Sequence, residues 1–423
     1  MKVLLSAYAC EPGRGTEPGV GWNNAWEISK YHEVWVFTRP DDGKEAIEAE
    51  LARNPNPNLH FVYFTLPVLG GSWRWGSIAF LLHYYLWQVQ AYFVARRLHQ
   101  EIGFDVAHHV SFVRHSTPSF LVFLPIPLIW GPVGGGESAP GPFWRDFSFK
   151  NKMYELLRST ARWFGERDPF ARLTAQRSAL VRVTTEDTAI RVRAMGATRI
   201  ELFSESSLTK EEINHLAQCA TTNNSDVRFI SMGRLLHWKG FHLGLKAFAL
   251  ANLPDAEYWI LGDGPERHRL EVLTQQLGIQ HQVKFWNRLP RDEALQKLGS
   301  CTALVHPSLH DSGGWVCLEA MTAMRPIICL NLGGTALQVT AETGFKIEAY
   351  NPAQVVEELS EAMIRLAKDP DLQVRMGLAG QQRVKESYNW ETRGALISSL
   401  YKDVVEQYRQ EMRGLTSESF NNS

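Results

Sequence analysis

At 423 residues, with 44% hydrophobic and 21% charged side chains, the chain has material for two hydrophobic cores and the make-up of an ordinary globular protein. A formal net charge of −1 excludes a global pull toward nucleic acid or anionic lipid, so any basic surface must be local. Five cysteines, odd in number and without CxxC spacing, exclude a disulfide framework or a zinc cage and point to a reducing, cytoplasmic setting.

The amino terminus, MKVLLSAYACEPGRG, is expected to open a core strand. Acid, proline and glycine follow where a signal peptide would continue. The longest apolar stretch, residues 120–130, contains Pro125 and Pro127 and falls far short of the ~20 residues that span a bilayer, so no transmembrane segment is expected.

Short β-rich runs at 3–9, 34–38, 59–64, 106–109, 128–130 and 181–184 alternate with helical patterns, which is the signature of a parallel sheet. Residues 204–226 turn polar and form the expected linker. The alternation then restarts at 227–232, 258–261, 283–286, 302–306 and 326–329. After Tyr388-Asn389-Trp390 a last helical pattern, 391–413, has no strand to follow and is expected to cross back to the first domain. The polar tail SESFNNS is expected to be disordered.

The first strand leads into a glycine-containing loop with Glu17, Gly19 and Gly21. It matches neither GxGxxG nor GxxxxGK[ST], and a ligand loop and a plain tight turn both remain open. Asp105 to His109 ends a strand; neighbouring side chains on a strand face opposite ways, so one of His108 and His109 is expected to face a cleft and the other to pack. GPVGGGE, residues 131–137, needs close backbone approach to something. Glu17, Gly134, Gly135 and Glu137 are the candidates for the acceptor side.

In the second half, Gly233-Arg234 and Lys239 follow a strand end, and two cations there suit a diphosphate, the guanidinium as a planar fork and the ammonium as a mobile point charge. Gly262-Asp263-Gly264-Pro265 reads as a turn and helix start, while the backbone around Arg288 suits a base edge. In HPSLHDSGGWVCLEAM, Asp311 and Glu319 stand eight positions apart. A carboxylate at 319 suits a ribose diol, and Asp311 with the amides of Ser312, Gly313 and Gly314 suits a second sugar. The one D-x-D, at 369–371, is better read as a helix cap than as a metal site.

Taken in order, Gly233-Arg234 with Lys239-Gly240, G-x-GP-E at 262–266, HPS followed by the spaced acids, Leu332-Gly333-Gly334, and Tyr388-Asn389-Trp390-Glu391 resemble the retaining glycosyltransferases of family 4 over nearly the whole chain. The resemblance implies an α/β protein of GT-B fold, two facing Rossmann-like domains with a C-terminal crossover helix: residues 1–205 completed by 391–413, and residues 226–390 as the donor-binding domain. It implies that Arg234 and Lys239 hold the donor diphosphate and Glu319 the ribose, with Asp311 standing where the family usually has glutamate. Gly19 and Gly21 resemble the family's first-strand loop. His108 and His109 depart from the family's HxH arrangement. The implied chemistry is hexosyl transfer with retention from a nucleotide diphosphate sugar to a glycan, lipid-linked or small acceptor, with no metal and no other cofactor. A nucleotide-sugar epimerase and a non-catalytic sugar-nucleotide-binding subunit are the rivals.

Aromatics crowd residues 73–93, and residues 144–182 hold nine basic against four acidic side chains. A helix core with a solvated face is the common cause of such patterns, and peripheral contact with a membrane is the other reading.

Overall fold

Short runs of three to six residues separated by helices build two parallel sheets. In the computed structural model, residues 1–41, 43–66, 77–220 and 226–421 are described. Trp73 and Trp75 of the aromatic stretch, and residues 221–225 of the expected linker, lie outside them.

The first sheet contains β1 (Lys2–Ala7), β2 (Glu33–Thr38), β3 (Leu59–Tyr63), β4 (Val106–Ser111), β5 (Leu128–Val133), β6 (Leu180–Val183) and β7 (Ile200–Leu202), in the order β3-β2-β1-β4-β5-β6-β7. Every residue of β4 and β5 is buried, as strands covered by helices on both faces require. The aromatic stretch resolves in part as core: on the Ser77–Ile102 helix, Tyr84 and Trp87 meet the buried Tyr8 edge-on. Tyr401, from the Trp390–Asn421 helix, is buried in the same unit with Ile397 and Val404.

The second sheet contains β8 (Arg228–Met232), β9 (Glu257–Leu261), β10 (Val283–Trp286), β11 (Ala303–His306), β12 (Ile327–Leu330) and β13 (Gly344–Ile347), in the order β10-β9-β8-β11-β12-β13. In each sheet the order reverses beside the first strand, between β1 and β4 and between β8 and β11. Open α/β sheets take ligands outside the carboxyl ends of the strands at that reversal.

The compact units differ from the expected boundaries. Unit one comprises residues 1–136, 159–205 and 390–423; unit two comprises 137–158 and 206–389. Residues 137–158, expected in the first domain, join the second because Asp146, Asn151 and Glu155 bond to His242 and Lys246, Glu266, and His237 respectively. The second unit also starts before residue 226, since the Lys210–Gln218 helix packs Ile213 and Leu216 into its core. β7 and β13 carry no strong sequence signal: one is three residues long and the other is half-exposed at a sheet edge. The tail expected to be disordered continues the last helix to Asn421. Among the described residues no helix is long and apolar enough to cross a membrane.

Candidate functional site

The loop after β8 is fixed from both sides. Gly233 (φ 142°) and Leu235 donate backbone N–H to Leu261 and Asp263, at 3.0 and 2.9 Å, and on the other side Leu309 N–H donates to Trp238 at 2.7 Å. Gly240 lies so close to the Pro307 carbonyl that a Cβ would come within 1.9 Å of it, so the loops after β8 and β11 meet backbone to backbone. Only glycine allows that approach at φ 68°.

This approach delivers Lys239 to Asp311, with Nζ 2.5 Å from Oδ2. His306 donates from Nε2 to the same oxygen at 3.2 Å. Burial alone would push the Asp311 carboxyl up. The Lys239 charge and the His306 hydrogen bond outweigh it and hold the group far below the usual carboxylate range. Asp311 is therefore a fixed anion against which the Lys239 side chain is held. The backbone behind it is equally constrained: Gly334 N–H donates to the Asp311 carbonyl at 2.8 Å, and a Cβ on Gly333 would strike that carbonyl. Gly313 is buried, its carbonyl accepting from Ser206 Oγ and Gln338 Nε2. Gly314 (φ 60°) starts the Trp315–Thr322 helix, and its N–H donates to Asp311 Oδ1 at 3.4 Å. Ser312 sits half-buried beside them.

Arg234 is exposed and makes no ion pair or side-chain hydrogen bond among the described residues, and the same holds for Arg288 after β10. An exposed guanidinium on a glycine-held loop has its five donors available to an anion. Gly264 packs against Leu235, where a Cβ would approach the carbonyl to 2.5 Å; its role is to seat the loop that carries Arg234.

Glu319 does not join the Lys239–Asp311 pair. It lies buried on the Trp315–Thr322 helix, and Arg291 Nη2 reaches its Oε1 at 2.9 Å. Burial raises its carboxyl above the ordinary value, only partly opposed by Arg291. The four expected groups thus divide into a closed pair, Lys239–Asp311, an unpartnered cation, Arg234, and an acid held by a different cation. Arg291 was missed because a lone arginine at a helix start carries no sequence signal.

A second cluster was also missed. Glu155, on the Phe149–Gly165 helix, accepts from His237 Nε2 at 2.9 Å and lies 3.5 Å from His310 Nε2. His237 is two residues before Lys239 and His310 is beside Asp311, so one buried carboxylate ties both loops. Burial opposes its ionisation, but the two imidazole contacts prevail and hold the group well below its usual range. Trp238 stacks on both His310 and Tyr154. Glu137 is buried in this unit, with its charge acting on His310.

In the first unit the expectation of one histidine facing open space fails. His108 donates from Nε2 to the Gly131 carbonyl at 2.8 Å and accepts at Nδ1 from Tyr401 Oη at 2.6 Å. His109 contacts Tyr84 Oη and Gln88 through Nε2. Both are buried, and burial lowers both to about 3, so they are neutral packing groups. Gly19 and Gly21 likewise face the protein's own chain: a Cβ on either would come within 2.1 Å of the Arg14 or Ala9 carbonyl. Gly134 N–H donates to the Val113 carbonyl at 3.0 Å, and the carbonyl of Gly135 (φ 87°) accepts from Arg162 Nη1 at 3.4 Å. At Gly19 and Gly21 the glycine requirement comes from close approach of the protein's own backbone. Glu17 accepts from Phe112 N–H at 2.8 Å, which joins the loop after β1 to the end of β4; burial keeps its carboxyl above the ordinary range. Asp369 caps the Pro370–Ser387 helix by accepting from Leu372 N–H at 2.8 Å, as expected for the D-x-D.

Two parallel-sheet Rossmann-like units, with a C-terminal helix belonging to the first, define the GT-B fold class. Residues 217–383, within the second unit, match the family described as glycosyl transferases group 1. The chain is similar to HepE of Anabaena, solved in complex with UDP, with a TM-score of 0.61 at 18% identity, covering 95% of this chain and 100% of that one. It is 28% identical over 145 residues to a D-inositol 3-phosphate glycosyltransferase of Streptomyces avermitilis, 34% of this chain and 30% of that protein. It is 30% identical over 176 residues to a GDP-mannose-dependent monoacylated alpha-(1-6)-phosphatidylinositol monomannoside mannosyltransferase of Corynebacterium glutamicum, 40% of this chain and 45% of that protein. The matches therefore span less than half the length of these two relatives.

Proposed function

We propose that this protein is a retaining, metal-independent glycosyltransferase of family 4, moving a hexosyl group from a nucleotide diphosphate sugar to a hydroxyl of a glycan, lipid-linked saccharide or small acceptor. The observation that carries the reading is the Lys239–Asp311 pair at the β8/β11 reversal, with Arg234 unpartnered on the same loop. The UDP complex of HepE and the GDP-mannose dependence of the Corynebacterium relative support a nucleotide diphosphate donor.

In this reading Arg234 and Lys239 neutralise the diphosphate as its bond to the anomeric carbon breaks. The acceptor oxygen forms the new bond on the same face, and its proton passes to the departing phosphate oxygen. Stabilising charge that grows in the transition state is electrostatic catalysis, and one well-placed donor supplies about 3–4 kcal/mol of it. Glu319, released from Arg291 or shared with it, accepts from the ribose diol, while Asp311 fixes Lys239 and faces the sugar.

Thermal stabilisation by a panel of UDP-, GDP- and ADP-sugars identifies the donor, because a ligand that binds only the folded state raises its melting temperature. Nucleoside diphosphate release that depends on an added acceptor is the expected result. Interconversion of the sugar nucleotide without acceptor, or binding without turnover, would overturn the proposal in favour of an epimerase or a binding subunit.

A further inference from the structure

The Phe149–Gly165 helix is amphipathic in reverse. Phe149, Met153, Leu156, Leu157, Trp163 and Phe164 are exposed, Phe149 at 80%, Leu157 at 62% and Phe164 at 64%. At 3.6 residues per turn the six fall within an arc of about 120°. The opposite arc carries polar side chains, and these turn inward. Asn151 Nδ2 donates to Glu266 at 3.0 Å, Glu155 accepts from His237 at 2.9 Å, and Arg162 Nη1 donates to the Gly135 and Gly136 carbonyls at 3.4 Å. Rotating the helix to bury its apolar arc would strip Glu155 of its imidazole partners, so the outward exposure is fixed by polar contacts.

The charges around this arc select what covers it. Lys150 and Lys152 are exposed on its two flanks, and Arg167, packed over the Trp163 ring at 3.7 Å, continues the positive border. The helix has one acid, Glu155, and it is buried. We infer that this helix docks flat on an anionic lipid surface, with its apolar arc entering the interface and Lys150 and Lys152 meeting the headgroups. A basic rim around an apolar stripe suits such a surface. A second copy of the chain fits worse, because pairing two such arcs would oppose lysines with no acid between them.

The test is independent of the enzymatic reading: the full-length protein is sedimented with phosphatidylcholine vesicles, with and without phosphatidylglycerol, at low and high salt. Binding should require phosphatidylglycerol and weaken with salt. Leu157→Glu with Phe164→Glu, and separately Lys150→Glu with Lys152→Glu, should each lower the partition coefficient about tenfold or more, with the melting temperature and nucleotide-sugar stabilisation unchanged. The inference is overturned if the wild type stays in the supernatant with phosphatidylglycerol vesicles or if the Leu157/Phe164 variant binds as well as the wild type. It is also overturned if sedimentation velocity shows a concentration-dependent dimer that this variant abolishes.

Discussion

Lys239 Nζ lies 2.5 Å from Asp311 Oδ2, so a cation from the loop after β8 and an acid from the loop after β11 meet where the strand order reverses. The pair is held by backbone packing at Gly240 and Gly333, which a ligand does not have to induce. Lys239→Ala should lower glycosyl transfer at least a hundredfold, about 2.7 kcal/mol of barrier, while the far-ultraviolet circular dichroism stays that of the wild type. Lys239→Arg should recover only part, because a planar guanidinium cannot occupy the ammonium's place against Asp311. Steady-state nucleoside diphosphate release measures both, and wild-type rates in the alanine variant would remove Lys239 from the site.

Glu319 makes an opposite prediction for stability and for binding. Its folded carboxyl lies above the unfolded value, so its ionisation opposes folding at neutral pH. Glu319→Gln should therefore melt at the same temperature as the wild type or higher. Donor affinity should nevertheless fall about 10- to 100-fold, the worth of charge-assisted hydrogen bonds to a diol. Titration calorimetry with the nucleotide sugar, run beside a thermal melt, separates the two effects. A variant that melts lower yet binds normally would make Glu319 a structural group tied to Arg291.

Much of this was readable in the sequence, and the limits have physical causes. Short β-rich runs between helix-length segments mark central strands such as β4 and β5, which are buried on both faces, but not β7 and β13 at the sheet edges. The sequence singled out Lys239 beside Arg234 as a diphosphate cation and Asp311 beside Glu319 as a sugar-facing acid, and it is the structure that joins Lys239 to Asp311. The sequence could not show that Arg291, and not Arg234 or Lys239, neutralises Glu319, or that Glu155 crosses more than 80 positions to reach His237, because such contacts depend on packing between distant segments. His108 and His109 were misjudged for a similar reason: alternation along a strand gives opposite faces, but helices cover both faces of β4.

The buried histidines set an acid limit on stability. His108 and His109 are lowered to about 3 from 6.5, so below pH 6.5 the unfolded chain gains protons that the folded one does not. More protons on the unfolded state mean that stability decreases as pH falls, throughout the window from about 6.5 to 3. Carboxylates depressed by their partners, among them Glu166 at about 2, add a second loss below the ordinary carboxylate range. The melting temperature should fall steadily from pH 6.5 to 5, and His109→Gln should make that slope shallower. A flat profile over this range would show that the two imidazoles titrate normally and are not buried as neutral groups.

Glu155 is the strongest single test of how the site is held. It comes from the Phe149–Gly165 helix, is buried, and holds imidazoles from the two loops that carry Lys239 and Asp311. Glu155→Ala leaves His237 and His310 without their shared acceptor in a buried place, and breaking a buried charged network by removing one partner costs about 3–5 kcal/mol. Glu155→Gln keeps one acceptor oxygen but loses the charge, and should cost less. The melting temperature should order as wild type, glutamine, alanine. If Glu155 positions the loops as well as stabilising them, the donor KM should rise in the glutamine variant at temperatures where it is fully folded, with a smaller change in kcat, because Lys239 and Asp311 themselves are intact. A glutamine variant with lowered stability but wild-type KM would confine Glu155 to holding the fold.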